Sequence, residues 1–500
     1  MGDENGYTIV IVGGGTAGWM SAAALARFVP PGHRIALVES DAIGTIGVGE
    51  ATIPAIRTFN DALDIDETEF LRETRGSLKL GIAFEGWGTP DGQYMHAFGP
   101  IGRPLGLVHF KDHWARAWSA GFAKPLAHYS VNEIAARTMR APDGGRGPAV
   151  PYAYHFDAGL YAGFLRRYAE ARGVTRREGT VERVTRHGES GDIAAIVLGD
   201  GTEVAGDFFI DCTGFRGLLI EQELAAGFDD WSHWLPCDRA MAVPCAPAGG
   251  LTPYTRSIAR EAGWQWRIPL QHRIGNGLVY CSEFLSDEDA AHMLLAHLDG
   301  EALGDPRHLR FVTGKRRKQW VANCLAVGLS SGFMEPLEST SIHMIQASIT
   351  RFLTMLPRGD VDPAVRDEFN RAADFEQERI RDFLILHYKA NGRTGEPFWD
   401  RCRAMEIPDT LAAKIDQFRG NGVFRQVHEE LFTEDGWLQV FVGQGIEPDN
   451  WNAMADALPE AKLREFLAVL EQAALDDVRR LPSHMDILAR AMAEPEGVET

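Results

Sequence analysis

Residues 7–12 (YTIVIV) form a short β-branched apolar run, and Gly13-Gly14-Gly15-Thr16-Ala17-Gly18 follows at once. Unbroken apolarity over so few positions predicts a strand buried on both faces, closed by a glycine turn. The Ala-rich stretch 19–28 has helical composition and stops at Pro30-Pro31-Gly32, and residues 34–38 (RIALV) predict a second strand ending at Glu39. Strand, turn, helix and strand together predict a βαβ unit. Further on, Gly-rich residues 43–54 predict a loop, and the breaker-rich segment 141–151 (APDGGRGPAVP) an excursion or boundary. Apolar runs at 207–211 and 323–329 predict late strands, running into Cys212-Thr213-Gly214 and Ser330-Ser331-Gly332 respectively. Beyond Ile342 the period changes, with Ile342, Ile345, Ile349 and Phe352 at helical spacing, and Leu463, Phe466, Leu467, Leu470 and Ala474 form one stripe near the end. The pattern predicts an α/β core over residues 1–355, with inserted segments, and a mostly helical region over 356–500.

Composition narrows the class. A chain of 500 residues that is 45% hydrophobic buries a large core. Its net charge of −20 repels phosphate backbones and anionic lipid, so neither nucleic acid nor a membrane is expected as a partner. No apolar run is long enough to span a bilayer. The six cysteines form no CxxC pair and no His/Cys cluster has zinc spacing, so no metal is expected and the thiols read as reduced. The N-terminus lacks a basic-then-apolar leader, and Gly6 stands where myristoylation needs Ser or Thr. A cytoplasmic protein is the expectation.

The glycine turn carries the first chemistry. In Gly13-x-Gly15-x-x-Gly18, the first glycine allows the turn, the second lets a pyrophosphate approach the backbone, and the third lets helix and strand pack closely. The pyrophosphate then meets the helix N-terminus at Thr16 and Ala17, where free N–H groups and the dipole favour anions. Glu39, about 20 residues beyond Gly18, suits a ribose diol. Gly47-x-Gly49 has no matching helix, so this is the one such fingerprint; a pyridine-nucleotide reductase of the two-dinucleotide type would carry two. One fingerprint in a chain of this size favours tightly held FAD.

Trp264-Gln265-Trp266-Arg267-Ile268-Pro269 is a WxWxIP hexapeptide. Read alone it is ordinary strand packing, with Trp264 and Trp266 on one face. Three more segments keep it company, namely Gly47-Val48-Gly49-Glu50-Ala51-Thr52-Ile53-Pro54, Asp211-Cys212-Thr213-Gly214-Phe215-Arg216, and Glu335-Pro336-Leu337-Glu338-Ser339-Thr340. In that order and register, from residue 7 to about residue 400, the chain resembles the flavin-dependent halogenases, known best as tryptophan halogenases.

The resemblance implies a mechanism and a set of sites. Reduced FAD comes from a separate flavin reductase, and with O2 it turns halide into hypohalous acid. That acid reaches, through an internal tunnel, a lysine beside the aromatic substrate. The lysine is Lys79, set among apolar neighbours whose desolvation would lower its pKa. The carboxylate is Glu338, either polarising the oxidant with Lys79 or taking the proton from the arenium intermediate. The halide seat is the backbone at Thr340 and Ser341, where a helix begins. His96 and Phe98 flank the substrate ring. Gly49, Ala51, Val181, Leu329 and Ile342 join the fingerprint in holding FAD, and Trp264, Trp266, Ile268 and Pro269 lie near the flavin. A homodimer stays open.

Two departures set this chain apart from the tryptophan-specific enzymes. Ser341 stands where theirs have glycine after the threonine, which puts halide preference in question. In the C-terminal third those enzymes carry a tyrosine pair and a glutamate that grip the amino-acid head group; the corresponding residues 437–445 (WLQVFVGQG) lack the tyrosine pair, so indole or a larger indole derivative is expected ahead of free tryptophan, and bromide ahead of chloride. The alternatives are a tryptophan halogenase proper, a single-component FAD monooxygenase of aromatic rings, and a silent flavin-binding scaffold.

Overall fold

The computed structural model describes residues 6–43, 49–144, 148–427 and 430–493. Gly47 and Val48 of the expected flavin loop, and residues 145–147 of the breaker-rich segment, lie outside them. The chain divides into two compact units, each assembled from three segments. The first takes residues 1–75, 156–233 and 311–377; the second takes 76–155, 234–310 and 378–500. A single boundary at 355/356 is therefore not where the chain divides, because segments from both sides of it share the second unit. The breaker-rich stretch 141–151 falls inside the second unit rather than at an edge.

In the first unit the expected βαβ forms as Thr8–Val12, the helix Thr16–Phe28 and Arg34–Glu39. The sheet has six strands, in the order Trp320–Val321, Cys324–Ala326, Phe208–Asp211, Thr8–Val12, Arg34–Glu39 and Thr175–Glu178. All neighbours are parallel except the first pair. Ile9, Val10, Ile11 and Val12 are buried, as strands covered on both faces must be. Ala22, Ala23 and Ala24 let the first helix settle against the helices Ala158–Glu170 and Ser341–Thr354.

The second unit is built on a seven-stranded sheet in the order Arg307–Arg310, Arg239–Cys245, Ile274–Tyr280, Gly263–Pro269, Thr255–Arg260, Gly81–Glu85 and Gln93–Ala97. Only the pairing of Thr255–Arg260 with Gly81–Glu85 is parallel. The WxWxIP strand lies in the middle and every residue in it is buried. Trp266 faces Gly277 across the ladder, and a Cβ there would run into its indole. Trp264 meets Trp266 with ring centroids 6.2 Å apart and Trp87 at 6.4 Å. After Ser341 the chain is mostly helical, as its periodicity predicts, ending in Glu460–Arg479 and His484–Met492. In the first of these Leu463, Leu467, Leu470 and Ala474 are buried, while Phe466 is only partly buried and touches the His113 ring. Among the described residues no helix is long and apolar enough to cross a membrane, and no group of acidic, His and Cys side chains could hold a metal ion.

Candidate active site

The first unit places the glycine turn and Glu39 at the carboxyl ends of parallel strands, where ligands of such sheets bind. Val12, Val38, Asp211 and Ala326 end level. From each end the chain hooks onto its neighbour: Gly13 N–H donates to Val38 O (2.8 Å), Cys212 N–H to Val12 O (2.8 Å) and Val327 N–H to Asp211 O (2.9 Å). Gly13 has φ +111°, and a side chain there would strike Cys212 O. A Cβ at Gly18 would strike Gly13 O, which is the close helix–strand contact the third glycine allows. A Cβ at Gly14 would overlap the Glu39 carboxylate. A Cβ at Gly15, by contrast, meets nothing within 4 Å, and no side chain caps the helix that starts at Thr16. An open backbone face, an uncapped helix N-terminus and a carboxylate beside the turn fit the adenine-dinucleotide part of FAD.

Other parts of this unit follow the same logic. Both Asp211 carboxylate oxygens take bonds, from Thr213 N–H (2.9 Å), Leu219 N–H (2.8 Å) and Ile220 N–H (2.9 Å), so Asp211 fixes the loop that carries Phe215 and Arg216. Gly328 has φ +73°, with its Cβ position 2.7 Å from Ala17 Cβ, which lays the turn holding Leu329 on the first turn of the fingerprint helix. Val181 packs at the rim of the cluster formed by Val12, Val38, Ile196 and Leu198. Ile342 is buried in the first turn of Ser341–Thr354, whose N-cap, Thr340, makes no side-chain cap bond. Glu338 is buried, followed by Ser339 in the left-handed region (φ 59°), a strained residue directly before the expected halide seat. Ala51 is buried and Gly49 opens a short strand with it. Between them Glu50 is part-exposed by area yet densely surrounded, and burial pushes its carboxyl up to about 7.

Sequence reasoning missed several residues here. Arg176 donates to Glu39 (2.5 Å) and to Asp41 (2.5 Å), orienting the carboxylate expected to meet a ribose. Its signal was long-range and could not be read from spacing. Gly328 lies in the apolar run expected as a strand, but the strand ends at Ala326 and Gly328 opens the turn that follows.

In the second unit Lys79 is fully buried on the short strand Ser77–Lys79, and its ammonium stands over the Phe98 ring at 5.3 Å. Phe98 follows the edge strand Gln93–Ala97, where His96 pairs with Ile82. His96 meets Phe383 edge-on (5.4 Å) and Phe432 (5.9 Å), and Phe432 stacks on Phe383 at 3.9 Å. The helix Glu434–Gly443 lies on this strand through two glycines. A Cβ at Gly436 would come 2.8 Å from His96 Nε2, and one at Gly443 would enter the Tyr94 ring. Between them the Gln439 amide receives the Ala97 N–H (2.9 Å) and donates to Ala97 O (3.1 Å), as a further strand would. Gln439→Ala strips both partners from a buried edge peptide. It is expected to cost about 2 kcal/mol of stability, read by urea denaturation, with Gln439→Glu restoring only the acceptor.

Two buried imidazoles contact the lysine strand, His155 from the strand paired with it and His484 at the Leu78 amide. Burial pushes His484 down to about 4, and burial, then the Lys79 charge, holds His155 well below the ordinary range. The sign follows from linkage: the unfolded chain protonates these groups below about 6.5 while the folded chain does not. Stability contributed by His484 is complete above that pH and is lost as pH falls toward about 4, by about 3 kcal/mol. Urea midpoints compared at pH 7 and 4.5 should therefore fall less in His484→Asn than in the parent.

Known proteins place the chain. A sequence profile of the tryptophan halogenase family matches residues 8–460. A flavin-dependent halogenase from Xanthomonas campestris is similar in structure, with a TM-score of 0.95 at 47% identity, covering 98% of this chain and 99% of that one. A second, from a Brevundimonas species, superposes with a TM-score of 0.93 at 42% identity, covering 98% of this chain and 100% of its own. The tryptophan 6-halogenase of Streptomyces toxytricini is 35% identical over 98% of this chain and 99% of that protein. With the dinucleotide turn, the family's motifs and a match along nearly the whole chain in agreement, the protein belongs to the tryptophan halogenase family and is an FAD-dependent halogenase.

Proposed function

We propose that the protein halogenates indole or a larger indole-bearing molecule in preference to free tryptophan, and takes bromide ahead of chloride. Reduced FAD, delivered by a separate reductase, supplies with O2 the two-electron oxidation that turns halide into hypohalous acid. The residues of this chain then do the rest. Lys79 holds the hypohalous acid by its ammonium protons, next to Phe98. The halogen passes to the ring, the ring proton leaves, and the hypohalous oxygen departs as water. Glu338 is the base for that proton, the uncapped backbone at Thr340 and Ser341 seats the halide, and His96 and Phe98 flank the ring.

The observation that carries the substrate half is the helix Glu434–Gly443. Gln439 is committed to Ala97, and Trp437 packs edge-on to Phe383 (4.7 Å) with Lys414 4.2 Å over its ring. Burial pushes the nearby Asp435 carboxyl up to about 6, which weakens it as an ammonium partner. An amino-acid head group placed here without partners would cost several kcal/mol. The halide half rests on Ser341 and on bromide being easier to oxidise, so a less favourable seat penalises chloride first. The relatives named for tryptophan support the other reading, that free tryptophan is the substrate. One assay separates them: equal indole and tryptophan, with reductase, FAD and NADH, in bromide or in chloride. Brominated indole as the main product is expected. Chlorinated tryptophan as the main product overturns both halves, and hydroxylated product without halide incorporation would point to a monooxygenase.

A further inference from the structure

The strand that carries Lys79 is only three residues long, and its regular partner is residues 153–155. A strand so short has few ladder bonds to hold a lysine at a fixed place. Side chains supply what the ladder lacks. Leu78 N–H, one residue before Lys79, donates to His484 Nε2 at 3.1 Å. The other ring nitrogen of His484, Nδ1, lies 2.9 Å from Leu251 O. Because Nε2 accepts, Nδ1 must carry the proton and donate, so His484 is a neutral imidazole with both nitrogens used. Ser77 Oγ donates to Pro269 O (2.8 Å), the last residue of the WxWxIP strand. Having given its only proton there, it accepts from His155 Nδ1 at 3.0 Å. His155 Nε2 then accepts from Thr255 Oγ1 at 2.9 Å. Both imidazoles and Ser77 are fully buried, and Thr255 is nearly so.

We propose that His484 and His155 are positioning residues for Lys79, keying its strand to the loop at Leu251 and to the end of the WxWxIP strand. The proposal rests on the reading of Lys79 as the group that delivers the halogen. Neither histidine touches substrate. Their task is to keep the ammonium at one height over Phe98, so that the oxidant is held rather than lost. His484 opens the helix His484–Met492, so a residue at the far C-terminal end of the described chain sets the geometry of one near its start. Protonating either ring would break its acceptor bond, and a second cation beside Lys79 would oppose it; the low affinity of both rings for a proton suits that role. WxWxIP thereby gains a physical part within this unit, since its terminal carbonyl anchors the lysine strand.

The test counts halogen, not only product. The full-length enzyme, with reductase, FAD, NADH, bromide and indole, is assayed for bromoindole and for hypobromous acid caught by monochlorodimedone. His484→Gln keeps an oxygen able to accept the Leu78 N–H. His484→Asn keeps a donor for Leu251 O but does not reach Leu78. Expected is a ratio of bromoindole to trapped oxidant about 10- to 100-fold lower in the Asn variant, with their sum nearly unchanged, and a ratio close to the parent in the Gln variant. Equal ratios in the two variants, or product and trapped oxidant falling together, would overturn the proposal. Lys79→Ala is run alongside. If it still makes bromoindole above about a tenth of the parental rate, the reading of Lys79 has failed, whatever the histidine variants do.

Discussion

Lys79→Ala is expected to abolish halogenation while flavin binding persists. The lysine belongs to the second unit, whereas the dinucleotide turn, Glu39 and Arg176 all belong to the first. Removing a fully buried side chain beyond Cβ also leaves a cavity, which would cost about 2–4 kcal/mol if nothing filled it. Lys79→Met keeps most of that volume and isolates the loss of charge. Both variants should fall by about 1,000-fold or more in halogenated product, because a delivery group acts only on the way to the transition state and water does not substitute for it. Equilibrium titration with FAD should give affinities within about twofold of the parent in the Met variant. Product formation by either variant above about a tenth of the parental rate would refute the assignment.

The second large effect separates two adjacent glycines. Gly15→Val puts a side chain into space that the protein leaves open, so the variant should fold with an unchanged thermal midpoint yet lose FAD affinity by about 100-fold or more, through direct obstruction of the pyrophosphate. Gly14→Val should behave in the opposite order. Its side chain would overlap the Glu39 carboxylate and break the Arg176–Glu39 pair, so the fold suffers before the ligand arrives. Calorimetry without flavin, then flavin titration, distinguishes them. FAD affinity unchanged in the Gly15→Val variant would mean that the cofactor does not lie on this face, and equal losses of stability in the two variants would mean that the face is not open.

The first βαβ was legible because its signals are local. A short β-branched run, three spaced glycines and an acid at the right distance each follow from neighbours in sequence. The same holds for the helix after Thr340 and for the stripe from Leu463 to Ala474. What stayed hidden depends on pairs far apart in the chain. Nothing near Gln439 announces that its amide completes the peptide at Ala97, and nothing near His484 announces Leu78. The division into two units was hidden for the same reason, since a boundary sought along the sequence cannot describe segments that alternate between two cores. WxWxIP shows the intermediate case: its burial was readable as strand packing, but the use of Pro269 O by Ser77 was not.

Interleaving also governs how the protein is made. Thr8–Val12 leaves the ribosome first, yet its parallel partner Phe208–Asp211 emerges much later, and Cys324–Ala326 later still. At about 5–20 residues per second, the nascent N-terminal strand keeps one edge open for on the order of 10–40 s. During that interval an apolar ribbon with unpaired amides is a template for the wrong neighbour. A halogenase of this architecture should thus owe its yield to chaperone supply and slow, cool expression more than to its final stability, and chains cut before Phe208 should aggregate rather than fold.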